Sequence, residues 1–250
     1  MKIKWIPALV AISLSSMSAT PRSQANETTI ERMPAKLETE FALSAVPARM
    51  REQATVYLLD PEKGYYLSRQ GKSAVACIVQ RTAWDYADFR NDIYWPVCYD
   101  AVGTRTHLKV IMDAAALRAQ GMSASALKAE IEKRYRDGIY KVPDTFGVSY
   151  MVGPVMRAVG PPDLKVHTML MPHLMFYAPY VTNADIGATP DLAVSASLLY
   201  PFIDKEGSPE SYMIQLIGAA EKNKILAEEK PLIDALCAYR DVLCLTHEKH

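Results

Sequence analysis

A run of sulfur- and nitrogen-bearing side chains near residue 170 is the sharpest chemical pattern in the sequence. Met169, Met171, His173 and Met175 occupy alternate positions, and alternate residues of a β-strand project from one face. Such a face would suit Cu(I), because soft thioether ligands select this ion and imidazole also binds copper. Pro172 interrupts the run, and methionine also fills irregular gaps in cores. The pattern favours core packing, with a soft-metal site and an apolar ligand pocket as the alternatives.

His173 and Asp185 are the candidates for an acid–base pair. Asp185 lies in a polar group with Asn183 and Gly187, shortly after the methionine-rich run. A carboxylate beside an imidazole is a common arrangement for proton transfer. Asn, Asp and Gly are also the usual residues of turns. The sequence therefore predicts a turn here, and it leaves an envelope enzyme that uses His173 with Asp185 as an alternative.

Known catalytic and nucleotide-binding motifs are absent from the sequence. The nearest approach to a nucleophile elbow is Gly147-Val-Ser149, which lacks the second glycine. Neither a P-loop nor a dinucleotide-binding glycine motif occurs. The sequence therefore assigns no cofactor.

The tyrosines are numerous enough to suggest an aromatic face for a glycan or an apolar ligand. The chain has 14 of them, although tyrosine is also common in strands and at half-buried positions. The members considered for such a face are Tyr65, Tyr66, Tyr94, Tyr99, Tyr177 and Tyr180.

Four cysteines, Cys77, Cys98, Cys237 and Cys244, predict two disulfides if the chain is exported. Three pairings are possible, and the nearest-neighbour choice joins Cys77 to Cys98 and Cys237 to Cys244. On a continuous helix, residues seven apart are separated by about 10 Å, whereas a disulfide needs Cα atoms within about 7 Å. The last helix must therefore end near Arg240, or the pairing must cross between segments.

The elements that would position these residues are mixed in type. Residues 35–45 and 124–137 read as helices, the second beginning at the good N-cap Ser123. Residues 54–60, 65–69 and 73–81 read as a three-stranded antiparallel meander. Further strands are expected at 93–99, at an edge because of Pro96, and at 104–111.

The expected fold class is α+β, with an antiparallel or mixed sheet and helices packed on one face. A terminal pair of helices is expected at 219–229 and 231–240, where Pro231 is acceptable at a helix start. No fixed-period repeat or low-complexity linker divides the chain. Residues 26–250 are therefore expected to form a single domain.

Residues 1–25 read as a signal peptide. Lys2 and Lys4 precede a short apolar run, and small residues offer cleavage before Ala19 or before Asn26. The run is too short to span a bilayer, and the mature chain shows no other transmembrane candidate. Removing residues 1–25 removes three basic residues and no acidic one, which leaves 25 basic against 28 acidic residues. Nucleic-acid binding is therefore disfavoured.

Several segments resemble exported bacterial proteins to which no activity is assigned. They are Met171-Pro-His-Leu-Met-Phe-Tyr-Ala-Pro179, Asn183-Ala-Asp-Ile-Gly187, Ala54-Thr-Val-Tyr57 and Leu236-Cys-Ala-Tyr-Arg240. The resemblance implies export, to the periplasm or the exterior, and a single domain. It transfers no catalytic residue.

The sequence thus favours a non-enzymatic exported protein that binds a small ligand or an envelope protein. The enzyme that uses His173 with Asp185 and the copper site at Met169, Met171, His173 and Met175 are the two alternatives.

Overall fold

Ten strands form the framework of the protein in a computed structural model that describes residues 28–245. The predicted signal peptide, residues 1–25, lies outside the described residues. The strands are β1 (Thr55–Asp60), β2 (Gly64–Arg69), β3 (Ala76–Gln80), β4 (Trp95–Tyr99), β5 (Val148–Met151), β6 (Met156–Gly160), β7 (Lys165–Met169), β8 (His173–Tyr177), β9 (Phe202–Asp204) and β10 (Tyr212–Leu216).

Eight of these strands form one sheet in the order β2-β1-β3-β4-β5-β8-β10-β9, while β6 and β7 form a separate hairpin. Only β1 and β3 pair in parallel, so the sheet is mixed. The predicted meander of the first three strands is therefore wrong. The chain crosses from β2 past β1, and Thr55 and Val56 pair with Ala76 and Cys77 in the same direction.

Seven α-helices accompany the sheet in the described part of the chain. They are α1 (Ala35–Ser44), α2 (Ala48–Arg51), α3 (Ala101–Arg105), α4 (His107–Ala119), α5 (Ala124–Arg136), α6 (Ala219–Glu228) and α7 (Lys230–Tyr239). The α+β class with a mixed sheet is confirmed. Among residues 28–245, none of the helices has the length and apolar character required to cross a membrane.

Helices cover both faces of the sheet, whereas the sequence predicted helices on one face only. Alternate residues of β3 show this arrangement, because their side chains enter two different cores. Cys77 and Val79 pack in a core that contains Phe41 of α1. Ile78 faces the opposite way, into a core that contains Leu108 of α4. The sheet is therefore the middle layer of the fold.

Both disulfides follow the nearest-neighbour pairing. Cys77 and Cys98 are opposite each other on β3 and β4, with Cα atoms 4.0 Å apart. The Cα atoms of Cys237 and Cys244 are 4.3 Å apart. The geometric condition is met because α7 ends at Tyr239 and Arg240 has extended backbone.

Two local expectations fail for identifiable reasons. Residues 104–111 are helical, because the Asp100 carboxylate accepts a hydrogen bond from the Gly103 amide and starts α3. The strand that contains Pro96 is interior and not at an edge. Its pairing with β5 is restricted to Cys98 and Tyr99, so Pro96 lies outside that ladder.

Glu38 is a buried carboxyl group on α1, only 2% exposed. Its Oε1 accepts a hydrogen bond of 2.9 Å from the Leu59 amide of β1. Burial raises the pKa of Glu38 to about 7, against the opposing effects of that hydrogen bond and of Arg81. The folded protein therefore binds a proton at Glu38 more tightly than the unfolded chain does. The contribution of Glu38 to stability falls as the pH rises from about 4.5 to about 7.

We expect Glu38→Gln to stabilise the protein at pH 8 by about 1–3 kcal/mol, because the amide removes the buried charge and keeps an acceptor for Leu59. The gain should shrink below pH 4.5, where Glu38 is protonated in both states. Denaturant unfolding from pH 4 to pH 8 measures this. Glu40→Gln, at an exposed position of the same helix, is the control. A difference between Glu38→Gln and the parent that does not vary with pH would contradict the assignment.

Candidate functional site

The two residues of the predicted acid–base pair have separate local partners. His173 begins β8, is buried, and its Nδ1 lies 2.6 Å from the carbonyl oxygen of Met171. Burial lowers the pKa of His173 to about 4. Asp185 lies in a 3-10 turn, where its carboxylate accepts hydrogen bonds from the amide and hydroxyl of Thr182. The pairing of His173 with Asp185 stays a prediction.

The predicted thioether residues are distributed over two strands of different sheets and the segment between them. Met169 ends β7 in the separate hairpin, whereas His173 and Met175 belong to β8. Met175 is buried, and Met169 and Met171 pack half-buried against the same core. Within residues 28–245, no group of three or more His, Cys, Asp or Glu side chains is placed to hold a metal. Copper binding by the thioethers stays a prediction.

A different set of residues forms a cluster of buried and half-buried charges. Lys205 follows β9, and its Nζ lies 2.9 Å from Oδ2 of Asp85 and 3.4 Å from Oε2 of Glu210. Oε1 of Glu210 accepts a 2.9 Å hydrogen bond from the hydroxyl of Tyr135 on α5. Two segments that are distant in the chain therefore meet at the ammonium group, and α5 joins them through Glu210. We call Lys205, Asp85, Glu210 and Asp204 the Lys205 cluster.

The electrostatics of the Lys205 cluster keep its lysine charged. Burial lowers the pKa of Lys205, but the charges of Asp85, Glu210 and Asp204 outweigh burial and hold that pKa well above its ordinary value. Burial raises the pKa of both Glu210 and Asp204, and Lys205 opposes the increase. One cation thus compensates a surplus of carboxylates in a poorly solvated place.

An open groove of about 420 Å³ lies directly over the Lys205 cluster. Trp84, Tyr135 and Tyr180 contribute aromatic surface to its lining. Its charged lining residues balance in formal charge, three basic against three acidic: Lys128, Arg136, Lys205, Asp85, Glu132 and Glu210. Other surface cavities are of similar size. The groove differs from them in having aromatic walls over a cluster of paired charges.

The backbone around the groove is strained. Tyr180 and Lys205, which both line the groove, have φ angles of 66° and 54°. A third residue of this kind, Ala87 at φ 51°, ends the turn that carries Asp85. Left-handed backbone is costly for residues other than glycine and concentrates at functional sites. The strain marks this groove as the candidate functional site.

A small inner cavity of about 20 Å³ lies behind the groove and shares Trp84, Lys205 and Glu210 with its lining. His107, 3% exposed, forms part of its wall. The His107 ring stands 4.8 Å from the ring of Tyr177 and 4.7 Å from that of Tyr212, measured between centroids. Burial lowers the pKa of His107 to about 3, with a smaller effect from Lys205.

The sequence analysis missed the charged members of this site. Asp85, Lys205 and Glu210 follow no motif, and His107 lies in a segment that was expected to be a strand. Three of the tyrosines considered for an aromatic face lie at this site. Tyr180 lines the groove, and Tyr99 and Tyr177 stack around His107. The abundance of tyrosine was therefore the one usable signal.

Comparisons with known proteins do not add to this picture. No protein-family model, no curated protein and no solved structure matches the chain. The resemblance to exported bacterial proteins stays a prediction, and the function must be argued from the site.

We expect Lys205→Ala to destabilise the protein by about 2–4 kcal/mol at pH 7, because three poorly solvated carboxylates lose their cation. The loss should become smaller toward pH 5, since Glu210 and Asp204 can then take up protons. Denaturant unfolding at both pH values measures the change. Lys230→Ala is the control, because its ion pair with Asp234 is exposed and should cost less than about 1 kcal/mol. Equal losses in the two variants would contradict the proposed role of Lys205.

Proposed function

We propose that the protein is an exported domain that binds a small uncharged organic ligand in the groove over the Lys205 cluster, without converting it chemically. The observation that carries the proposal is the combination of aromatic walls with a charge-balanced polar lining. Ligand sites typically combine apolar and aromatic surface with a few placed polar groups. Export is supported by the predicted signal peptide and by the two disulfides.

The preference for an uncharged ligand follows from the balance of formal charge in the groove and from the pairing of two of its three basic groups. Lys205 is satisfied by Asp85 and Glu210, and Glu132 lies 4.0 Å from Lys128. A ligand that brought a net charge would compete with these pairs or lose its own hydration. Rings such as that of Tyr180, which is 60% exposed, can instead cover the apolar face of a polyhydroxylated molecule. A neutral saccharide has this combination of an apolar face and polar edges.

The same pairing argues against catalysis at this site. A lysine that acts as nucleophile or base must be uncharged, and the carboxylates around Lys205 hold its pKa well above the ordinary value. The Glu210 carboxylate is shared between Tyr135 and Lys205. These contacts hold Lys205 and Glu210 in paired positions, and the pairing gives neither side chain a role in proton transfer.

The test is binding of neutral mono- and oligosaccharides to residues 26–250, measured by calorimetry and compared with uronic-acid and amino-sugar counterparts. We expect saturable binding of a neutral sugar, and Tyr180→Ala should weaken it about tenfold, the equivalent of 1.4 kcal/mol. Tyr200→Ala, at a tyrosine 75% exposed in a different cavity, should leave the affinity unchanged.

Three results would contradict the proposal. One is the absence of binding across the panel, which would favour an envelope protein as the partner. Another is a preference for the charged sugars over the neutral ones. The third is turnover of a substrate that is lost in His173→Ala, which would support the alternative enzyme.

A further inference from the structure

Exposed apolar side chains concentrate beside β9, at one edge of the eight-stranded sheet. The described residues include eleven large apolar side chains that are exposed, and four of them lie within the stretch 186–200. They are Ile186, Val194, Leu199 and Tyr200, with exposed fractions between 41% and 75%. Single exposed apolar residues are ordinary, whereas a concentration of them marks a surface that binds a partner.

An open cavity of about 600 Å³ adjoins these side chains, and no charged residue contributes to its lining. The lining includes Ile186, Pro190, Tyr200, Phe202 and Met213. A centre that is rich in aromatic side chains and poor in charge is typical of the middle of a protein–protein interface. We call the four exposed apolar residues and this cavity the β9 patch.

Hydrogen bonds and a buried anchor hold the β9 patch in shape without a partner. The hydroxyl of Ser197 accepts a hydrogen bond of 2.8 Å from the Asp191 amide and lies 2.7 Å from the carbonyl oxygen of the same residue. Leu198 is buried in the core that contains Leu108, so it ties this stretch to the sheet. A surface that is ordered before binding loses little conformational entropy when a partner docks.

The outer edge of β9 is closed to an added strand. The side-chain amide of Asn183 donates to the carbonyl oxygen of Ile203 at 3.0 Å, and its oxygen accepts from the Ile203 amide at 2.7 Å. Both backbone groups in the middle of this three-residue strand are thus already paired, and covering an edge in this way prevents further strand pairing. A partner must therefore be held by its side chains and not by β-strand addition.

Acidic side chains border the cavity of the β9 patch. Asp185 directly precedes a lining residue, Asp191 directly follows one, and both are exposed. The exposed Glu206 lies close by, since its Oε2 accepts a hydrogen bond of 2.6 Å from the Asn183 amide. The sequence has no lysine or arginine between residues 166 and 204. Within the described chain, these three carboxylates accept hydrogen bonds from amides and a hydroxyl only, so the rim carries uncompensated negative charge.

We propose that the β9 patch docks an apolar segment of another protein that is flanked by lysine or arginine residues. The apolar side chains of that segment fill the uncharged cavity, and its basic flanks meet the acidic rim. A second copy of this chain is disfavoured, because it would bring the same acidic rim against its own. Anionic membranes and nucleic acids are disfavoured as well, since both attract basic surfaces. The β9 patch shares no lining residue with the groove over the Lys205 cluster, so the proposal does not depend on the ligand there.

Peptide binding to residues 26–250, measured by fluorescence anisotropy, tests the proposal. The probe is a synthetic peptide with leucines flanked by lysines at both ends. One control peptide has glutamates in place of the lysines, and the other has serines in place of the leucines. We expect the probe to bind saturably and about tenfold or more tightly than either control, and added salt should weaken its binding. The absence of saturable binding, or equal binding of the glutamate peptide, would overturn the proposal.

A pair of matched variants locates the binding surface. Leu199→Ser combined with Tyr200→Ser removes two apolar side chains from the β9 patch and should weaken probe binding about tenfold. Tyr66→Ser combined with Leu67→Ser removes two exposed apolar side chains from β2, at the opposite edge of the sheet. This control should leave the affinity unchanged. Equal losses in the two double variants, or no loss in the first, would mean that the probe binds elsewhere and would refute the docking surface.

The acidic rim and the rejected occupants are tested separately. Asp185→Asn combined with Asp191→Asn keeps the shape of the side chains and should reduce the dependence of probe binding on salt. An unchanged salt dependence would contradict the role of the rim. Sedimentation and binding to anionic vesicles test the second copy and the membrane. A dimer or a vesicle complex that the Leu199→Ser, Tyr200→Ser variant abolishes would overturn the proposal in favour of that occupant.

Discussion

The ammonium group of Lys205 is the contact on which the candidate site depends. It joins the turn after β3, through Asp85, to the loop between β9 and β10, through Glu210. Through the bond from Tyr135 to Glu210, it also reaches α5 on the sheet face that carries α4. Paired charges of this kind are costly to bury and more costly to separate, so they fix the relative positions of these segments. The groove and the inner cavity both have Lys205 in their linings.

The mixed sheet supplies the rigid support behind this contact. Its two faces are covered by separate cores, and the disulfide between Cys77 and Cys98 joins the neighbouring interior strands β3 and β4. His107 is the first residue of α4, and its ring packs on the rings of Tyr177 in β8 and Tyr212 in β10. These three rings therefore lie between the sheet and the Lys205 cluster. Strained backbone at Tyr180 and Lys205 is held by this framework.

The sequence predicts those structural features that depend on residues close together in the chain. Ser123 caps α5 as expected, with its hydroxyl accepting from the Ala126 amide, and the two disulfides join adjacent cysteines. The α+β class follows from the same local patterns. The parallel pairing of β1 with β3 was not predictable, because it depends on which strand edges meet after the chain folds back. Residues 104–111 were misread because β-branched and apolar residues conceal a helical start that the Asp100 cap decides.

The candidate site was even less accessible to sequence reasoning. Asp85, Lys205 and Glu210 are ordinary surface residue types, and only burial against one another gives them a special role. The residues of the methionine-rich run alternate in sequence, yet Met169 ends β7, Met171 lies between the strands, and His173 and Met175 belong to β8. The three methionines contribute to the core. Spacing is informative only within one continuous element. Chemistry assembled from distant loops requires the tertiary structure.

The most direct test of the central claim is residue-resolved hydrogen exchange of Lys205→Ala against the parent protein. If Lys205 holds the three segments together, exchange should accelerate most in residues 84–87, 205–211 and the end of α5. Protection in β3 and β4 should decrease only by the global loss of stability. Equal acceleration across the whole molecule, or none at the three segments, would contradict the account.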